Sequence, residues 1–504
     1  MGIVADMNRP LLGAAVTLGA TVLILPVTAH AETSPTTSTT ASPTTSASPT
    51  TSASPTAPAC TSTITNDLNN DGIADTVIAQ PKANVRTVQG AGAVDVRVSN
   101  GASFRLTTAS VGAGNATAGI RFGQSVAIGD LNADCYADLL IGVPRANGSS
   151  GQVVFVPGSA SGVAQGASKV ITINNPKSTD RFGHAVAIGN NTAYISAPFY
   201  DKNGLKNVGQ IHVFSLQNDQ FVESATLEQG SGVIKDTPEA GDHFGEVLAM
   251  DGSTLGVGMP KENIDGAVDA GAVHLITFSA TDPTTAESDV FLSQNSPGVP
   301  GGAEKGDNFG AAIDGQLLAI GIPGEDLKST VDAGGIVTQL RSALTSTPAL
   351  RWVSQSTSGI PGKSKPGDRF GSALSSGQGF LCDGQTGIAV GIPYKRLGKK
   401  TNAGMVTVVS QGSADCGSLR GRKTTQDSPG VAGNVVRGNR FGYALISVPG
   451  TERDAALVGV PGANLDDKKN TGRVVNGVNL PTTSLRALGG LQAQTNYGNI
   501  GTGR

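Results

Sequence analysis

The chain has 504 residues, 69 of them glycine, with 4% aromatic residues and a formal net charge of −3. That charge excludes a broadly basic nucleic-acid-binding surface, and the scarcity of aromatics excludes a dense stacking platform for bases or sugars. Residues 8 to 31 read as a secretory signal: Arg9 gives a positive start, Leu11 to Leu25 is mostly apolar, and Ala29-His30-Ala31 is a small-x-small cleavage site. The apolar run is short for a membrane span and Pro26 follows it. Residues 1–31 are therefore expected to be removed, leaving no transmembrane span in the mature chain and a secreted or wall-associated product. Residues 32–58 are almost wholly Thr, Ser, Pro and Ala, a composition that cannot bury a core and stays extended.

From residue 59 to 504 the sequence repeats. Phe-Gly occurs at Phe122, Phe182, Phe244, Phe309, Phe370 and Phe441, at intervals of 60, 62, 65, 61 and 71 by subtraction. Each pair leads into an alternating run such as Gln124 to Ile128, then a turn, then a short apolar run ending in proline. These runs are Leu139 to Pro144, Tyr194 to Pro198, Leu255 to Pro260, Leu318 to Pro323, Ile388 to Pro393 and Leu457 to Pro461. A third run follows a glycine at one fixed offset beyond each of the last five prolines (Gly209, Gly271, Gly334, Gly404 and Gly472), and a weaker fourth, such as Lys169 to Ile173, closes the unit.

Short β-branched runs between turn residues are the mark of antiparallel strands, and no sustained helical spacing interrupts them. A four-stranded unit of this period is too long for a solenoid coil and too short for a sandwich domain. The expected fold is all-β, a seven-bladed β-propeller of four-stranded antiparallel blades. The first blade is degenerate, with Ala59-Cys60 where Phe-Gly should stand, and its Asp67 precedes Asp130 by one period. Thr495 to Gly498 is similar to Gly438 to Gly442, so the C-terminal segment is expected to supply a strand to blade one and close the ring. The alternative is a frayed end.

The turn between the first two strands carries metal-binding chemistry. In blade one it offers Asp67, Asn69, Asp71 and Asp75 at positions 1, 3, 5 and 9, with the Ile73 carbonyl at position 7. In blade two the set is Asp130, Asn132, Asp134 and Asp138, with the Tyr136 carbonyl. Hard oxygens on alternating positions suit Ca²⁺, and the same carboxylates without a cation repel one another. Cys135 stands where blade one has Gly72, the residue that eases a left-handed turn. Blades three to five replace the loop with Asn190-Asn191, Asp251-Gly252 and Asp314-Gly315, read as two-residue hairpin turns.

Together these residues resemble the FG-GAP repeats of the integrin α-subunit head. The resemblance rests on the six Phe-Gly pairs, the endings Gly142-Val143-Pro144, Gly321-Ile322-Pro323 and Gly459-Val460-Pro461, and the intervening loops, and it covers about residues 60 to 504. It implies a seven-bladed propeller, Ca²⁺ held by the two loops just named, and extracellular adhesion or ligand binding. Two features depart from it: the acidic loops stand in the first two blades rather than in later ones, and no long insertion separates blades two and three. The chain thus resembles a secreted bacterial FG-GAP protein more than a receptor subunit.

An even cysteine count in an exported chain favours disulfides. Of the three possible pairings, Cys60–Cys135 at the ring seam and Cys382–Cys416 within one repeat are expected. His184, His212, His243 and His274 occupy repeat-equivalent positions and are read as packing or surface residues. No catalytic residue is assigned, and the protein is expected not to be an enzyme. The residue before each Phe is Arg121, Arg181, His243, Asn308, Arg369 or Arg440. These ring the axis on the face opposite the acidic loops and suit an anionic sugar or carboxylate, although local pairing with Asp180, Asp242, Asp307 and Asp368 is the preferred reading. The expected function is that of a monomeric, Ca²⁺-stabilised secreted propeller binding an extracellular protein or glycan. The alternative is a propeller hydrolase or lyase acting on polysaccharide or phospholipid.

Overall fold

Runs of Val, Ile, Leu and Ala broken by Gly, Asn and Asp turns give a chain of antiparallel hairpins. The computed structural model describes residues 60, 64, 66–339, 343–344, 350–410, 419–450, 453–463, 472–478 and 501–502. The signal and linker readings at 1–31 and 32–58, the closing segment 495–498 and Cys416 lie outside them.

Among the described residues seven sheets follow in chain order as blades, each an antiparallel meander in its own consecutive strands, with a separate two-stranded hairpin beside the second. Blade one holds β1 (Thr76–Gln80), β2 (Ala93–Arg97) and β3 (Ser103–Leu106). Blade two holds β4 (Val126–Gly129), β5 (Asp138–Gly142) and β6 (Val153–Val156), then a small hairpin of β7 (Gly158–Ser159) and β8 (Gly162–Val163), then β9 (Lys169–Ile171). Blade three is β10 (Val186–Gly189), β11 (Thr192–Ala197), β12 (Gln210–Gln217) and β13 (Gln220–Leu227). Blade four is β14 (Val247–Asp251), β15 (Thr254–Met259), β16 (Ala272–Phe278) and β17 (Ala286–Leu292). Blade five is β18 (Ala312–Ile313), β19 (Ala319–Ile322), β20 (Gly335–Thr338) and β21 (Arg351–Val353). Blade six is β22 (Ala373–Gln378), β23 (Thr386–Ile392), β24 (Met405–Ser410) and β25 (Gly421–Thr424). Blade seven shows β26 (Ala444–Val448), β27 (Ala455–Val460) and β28 (Arg473–Val478). The architecture is the seven-bladed propeller of four-stranded antiparallel blades expected from the repeat, with three strands each in blades one and seven among the described residues.

The core lies between blades. All six Phe-Gly phenylalanines are 0% exposed, each a burial of roughly 2–3 kcal/mol. Val94 and Val96 of blade one pack with Phe122, Leu139 and Ile141 at the joint to blade two. Two sets of glycines let neighbouring backbones meet. Gly92, Gly151, Gly209, Gly271, Gly334 and Gly404 stand where the chain passes the Phe that opens the next blade, and five of them form a parallel bridge to it. Their φ values run from +78° to +93°, and a Cβ on any of them would meet that Phe's backbone N or O at 2.1–2.4 Å. Gly142, Gly258, Gly321 and Gly391 on the second strands would meet the carbonyl of the next blade's Phe-Gly glycine at 2.1–2.3 Å. The two recurring motifs are therefore the two halves of one interblade joint.

Three expectations need correction. The described C-terminal strand, β29 (Gly501–Thr502), pairs parallel with Ala127 and Ile128 of β4, so it joins blade two rather than blade one. In blade one the chain's own Asn66 already accepts a hydrogen bond from Asp75 N at 2.8 Å in the inner position. The blade-four turn is Gly252-Ser253, one residue later than expected, because Asp251 still pairs with Thr254. The blade-five turn runs from Asp314 to Leu318. The buried Asp314 carboxylate accepts N–H groups from Gln316 (3.2 Å), Leu318 (3.3 Å) and Ser376 of blade six (2.7 Å), which widens the hairpin. Asn190-Asn191 forms the expected tight turn, with φ of +48° and +56°.

Candidate functional site

A first strand such as β4 starts just after Phe-Gly and ends at its turn, so residues before the Phe and residues in the turn lie at opposite ends of the blade. The molecule thus presents two distinct chemistries on two faces.

On the turn face, the loops of blades one and two share one hydrogen-bond pattern. Asp67 Oδ1 and Oδ2 accept the N–H groups of Asp71 (3.1 Å) and Gly72 (2.7 Å). Asp130 accepts those of Asp134 (3.3 Å) and Cys135 (3.0 Å) in the same way. Asp75 accepts Leu68 N (2.8 Å) and Ser99 N (2.7 Å), and Asp138 accepts Leu131 N (2.8 Å) and Gly158 N (2.9 Å). Asn69 and Asn132 each donate Nδ2 to the Asp two residues on, at 2.8 Å. Asp71 and Asp134 each accept the N–H two residues on, from Ile73 and Tyr136, at 2.9 Å. Cys135 takes a φ of +74°, close to the +83° of Gly72, so the loops keep one shape despite the substitution. The Cys60–Cys135 disulfide ties this loop to the start of blade one. Cys382 is also disulfide-bonded.

The loop carboxylates turn toward backbone N–H groups. Among the described residues, neither loop brings three carboxylates within 4.8 Å of one another. Their chemistry still fits a hard cation. Burial raises Asp75 to about 6 and Asp138 to about 7; Asp67 and Asp71 add to the first shift, Asp134 and Asp130 to the second. Asn69 Oδ1 is buried with no hydrogen-bond partner. The donors are all oxygen, as Ca²⁺ prefers.

On the other face, Lys82, Arg121, Arg145, Arg181 and Arg440 gather at the axial mouth from blades one, two, three and seven. Burial lowers Arg121, and Arg145 and Arg181 depress it further. Burial likewise lowers Arg181, with Arg145 adding to the effect and Glu246 opposing it. Lys82 is lowered by burial, then by Arg121, Arg440 and Arg145. Among the described residues, none of these five cations has a carboxylate within ion-pair distance. Phe199 lies under the Arg181 guanidinium at 3.9 Å, and Tyr394 sits between those of Arg369 and Arg440 at 5.7 and 5.3 Å.

The local pairing expected for this ring does not occur. Asp180, Asp242, Asp307 and Asp368 accept the backbone N–H three residues earlier, from Lys177, Glu239, Glu304 and Lys365, at 2.6–2.8 Å. A three-residue turn needs that acceptor, so the aspartates are committed to backbone rather than to the neighbouring arginines. Arg369 does pair, with Asp332 at 3.5 Å. Sequence reasoning missed Lys82, Arg145, Phe199 and Tyr394. All four directly follow a proline that ends a second strand, a fixed offset that could have revealed them.

His212 and His274 are structural, as expected for packing residues. His212 Nδ1 pairs with Glu223 (2.7 Å) and His274 Nδ1 with Asp289 (2.8 Å). Their rings meet Phe182 and Phe244 edge-on, both at 5.4 Å. Burial pushes His184 down to about 4. No helix among the described residues is long and apolar enough to cross a membrane. Two stretches, residues 122–156 and 168–214, match the FG-GAP repeat family. No match to the chain is found among the curated proteins.

Proposed function

Starting from a chain that is an FG-GAP repeat propeller of the integrin-α type, we propose that it serves as an extracellular binding module rather than an enzyme, taking an anionic ligand at its axial mouth while Ca²⁺ braces the opposite face. The observation that carries this reading is the convergence of Lys82, Arg121, Arg145, Arg181 and Arg440 without ion-pair partners among the described residues. Guanidinium forks match carboxylate and sulfate oxygens two at a time. Phe199 and Tyr394 supply an apolar floor beneath them. The ligand class is a carboxylate- or sulfate-bearing glycan or an acidic patch on an extracellular protein. Export follows the signal read at residues 1–31, and the module acts as a monomer.

Asp67, Asn69, Asp71 and Asp75 with the Ile73 carbonyl, and Asp130, Asn132, Asp134 and Asp138 with the Tyr136 carbonyl, would hold the calcium. When bound, it offsets the mutual repulsion of the loop carboxylates. The binding claim is tested on an array of acidic and neutral glycans and secreted proteins, with and without Ca²⁺, using wild type and Arg121→Asn/Arg181→Asn/Arg440→Asn. Three lost charge-assisted contacts, at roughly 1 kcal/mol or more each, predict a weakening of about 100-fold or more. Unchanged binding by the triple variant would refute the axial site.

A further inference from the structure

Four successive joints repeat one polar cell. A glutamine stands two residues past the fourth strand, an Asp or Asn follows at one fixed offset, and a third residue comes two beyond the proline that ends the following second strand. The sets are Gln229, Asp242 and Glu262; Gln294, Asp307 and Glu325; Gln355, Asp368 and Lys395; and Gln426, Asn439 and Ala463.

Three of the cells each carry a hydrogen bond between their own members. In the third, Lys395 is 4% exposed, and its ammonium donates to Asp368 Oδ2 (2.6 Å), Gln355 Oε1 (2.7 Å) and Lys363 O (2.6 Å). The Gln355 amide turns its oxygen to this cation, leaving Nε2 without an acceptor. In the fourth, Asn439 Nδ2 donates to Gln426 Oε1 at 2.6 Å, and neither the amides nor Ala463 brings a charge. In the second, Gln294 Nε2 donates to Glu325 Oε2 at 2.6 Å, which leaves Gln294 Oε1 as the one orphan of the three residues.

The first cell differs. Glu262 stands in the place of Lys395, as Glu325 does in the second cell, but only here among the described residues do three acidic residues, Glu239, Asp242 and Glu262, bring one oxygen each within 4.8 Å of one another. Gln229 Nε2 donates to Asp242 (3.1 Å) and Asp236 (3.3 Å), so its amide sits against the cluster. Gln229, Asp242 and Glu262 are 2%, 0% and 3% exposed. Gln229 Oε1, Asp242 Oδ1 and Glu262 Oε2 all lack a hydrogen-bond partner. Three buried orphan acceptors with no cation beside them are costly.

We propose that this cell binds a hard divalent cation, Ca²⁺ or Mg²⁺, in the place that Lys395 Nζ takes in the third cell. The ligands are carboxylate oxygens of Glu239, Asp242 and Glu262 and the amide oxygen of Gln229, turned as Gln355 is turned. An all-oxygen set selects a hard ion. Glu239 is exposed, so the ion enters from solvent and keeps water on that side. The cell lies at the proline ends of the blades, away from the acidic turn loops, and does not depend on them.

Metal content decides the matter. Full-length protein is stripped with chelator, dialysed against Ca²⁺ or Mg²⁺, and its bound metal measured for wild type, Glu262→Lys and the loop variant Asp71→Asn/Asp134→Asn. Glu262→Lys should hold one ion fewer per chain than wild type, and its metal-free form should melt above metal-free wild type, because an ammonium now fills the cell. The loop variant should keep this ion. If the loops bind nothing, wild type holds a single ion that Glu262→Lys abolishes, so the two readings fail separately. Equal metal content in wild type and Glu262→Lys overturns the proposal; if that variant does not fold, Asp242→Asn supplies the same comparison.

Discussion

The interblade joint makes a quantitative prediction at Gly404. Its φ is +87°, and a Cβ there would lie 2.2 Å from both N and O of Phe441. Contacts under 3.0 Å do not persist, so blades six and seven must part by about 0.8 Å, the difference between 3.0 and 2.2. That movement strains the hydrogen bonds from Phe441 N to Ala403 O and from Arg440 N to Asn402 O, both 3.0 Å. Gly204 is the control, with a φ of +86° and nothing within 4 Å of its added Cβ. Gly204→Ala should cost only the left-handed penalty, about 1–2 kcal/mol. Gly404→Ala adds overpacking of about 1–3 kcal/mol and about 1 kcal/mol from weakened hydrogen bonds. The difference, about 2–4 kcal/mol, is read from urea denaturation followed by circular dichroism and by the fluorescence of Trp352, the one tryptophan. For a chain of this length from Cys60 onward, an unfolding entropy of about 0.9 kcal/mol/K makes this about 2–4 °C in calorimetry. Equal losses in the two variants would mean that backbone conformation alone requires the glycine, and the joint argument would be wrong.

Two further outcomes bear on charge. Burial raises Glu325 to about 7 from an ordinary 4.5. A raised carboxyl contributes stability that is fully present below pH 4.5 and is lost as pH rises through 7. Glu325→Gln should therefore be neutral at pH 4.5 and stabilising by up to about 2 kcal/mol at pH 8.5, after allowance for solvent screening; pH-dependent urea midpoints measure it, and a constant difference would contradict it. Removing Ca²⁺ from the acidic loops at pH 7.5 should lower the melting temperature. Two sites with a Kd of about 0.1 mM, filled at about 1 mM, contribute about 3 kcal/mol, and an unchanged melt with the metal verifiably absent would remove calcium from the account.

The joints were legible in sequence because they impose one requirement six times. Phe122 to Phe441 must fill the same gap, and Gly151 or Gly334 must let a backbone pass. The acidic loops were legible because their donors alternate within one short turn. The axial mouth was only half legible. Arg121 and Arg181 could be placed by register, but Lys82 and Arg145 come from other loops and meet them through ring closure. The Gln229–Asp242–Glu262 cell was not read at all. Its members come from three separate stretches of two blades, and its meaning emerges only beside Lys395, where an ammonium supplies the missing charge.

The residues before the six phenylalanines show where stability and function part. All are left-handed: Arg121 at φ +61°, Arg181 at +53°, His243 at +55°, Asn308 at +57°, Arg369 at +56° and Arg440 at +56°. The joint forces this conformation, since each such residue donates its N–H to the preceding blade, as Arg121 does to Gly90 O and Arg181 to Ser149 O. The left-handed region favours Asn and Gly over other side chains. Asn308 meets that preference and donates Nδ2 to Pro260 O at 3.0 Å, whereas four of the six positions carry Arg. Folding alone gives no reason for that choice. Arg121→Asn/Arg181→Asn/Arg440→Asn should therefore leave stability unchanged or raise it by a few tenths of a kcal/mol per site, while binding falls. A loss of more than about 1 kcal/mol per site in urea would show that the guanidiniums hold the mouth together, and the ligand would have to be sought elsewhere on the ring.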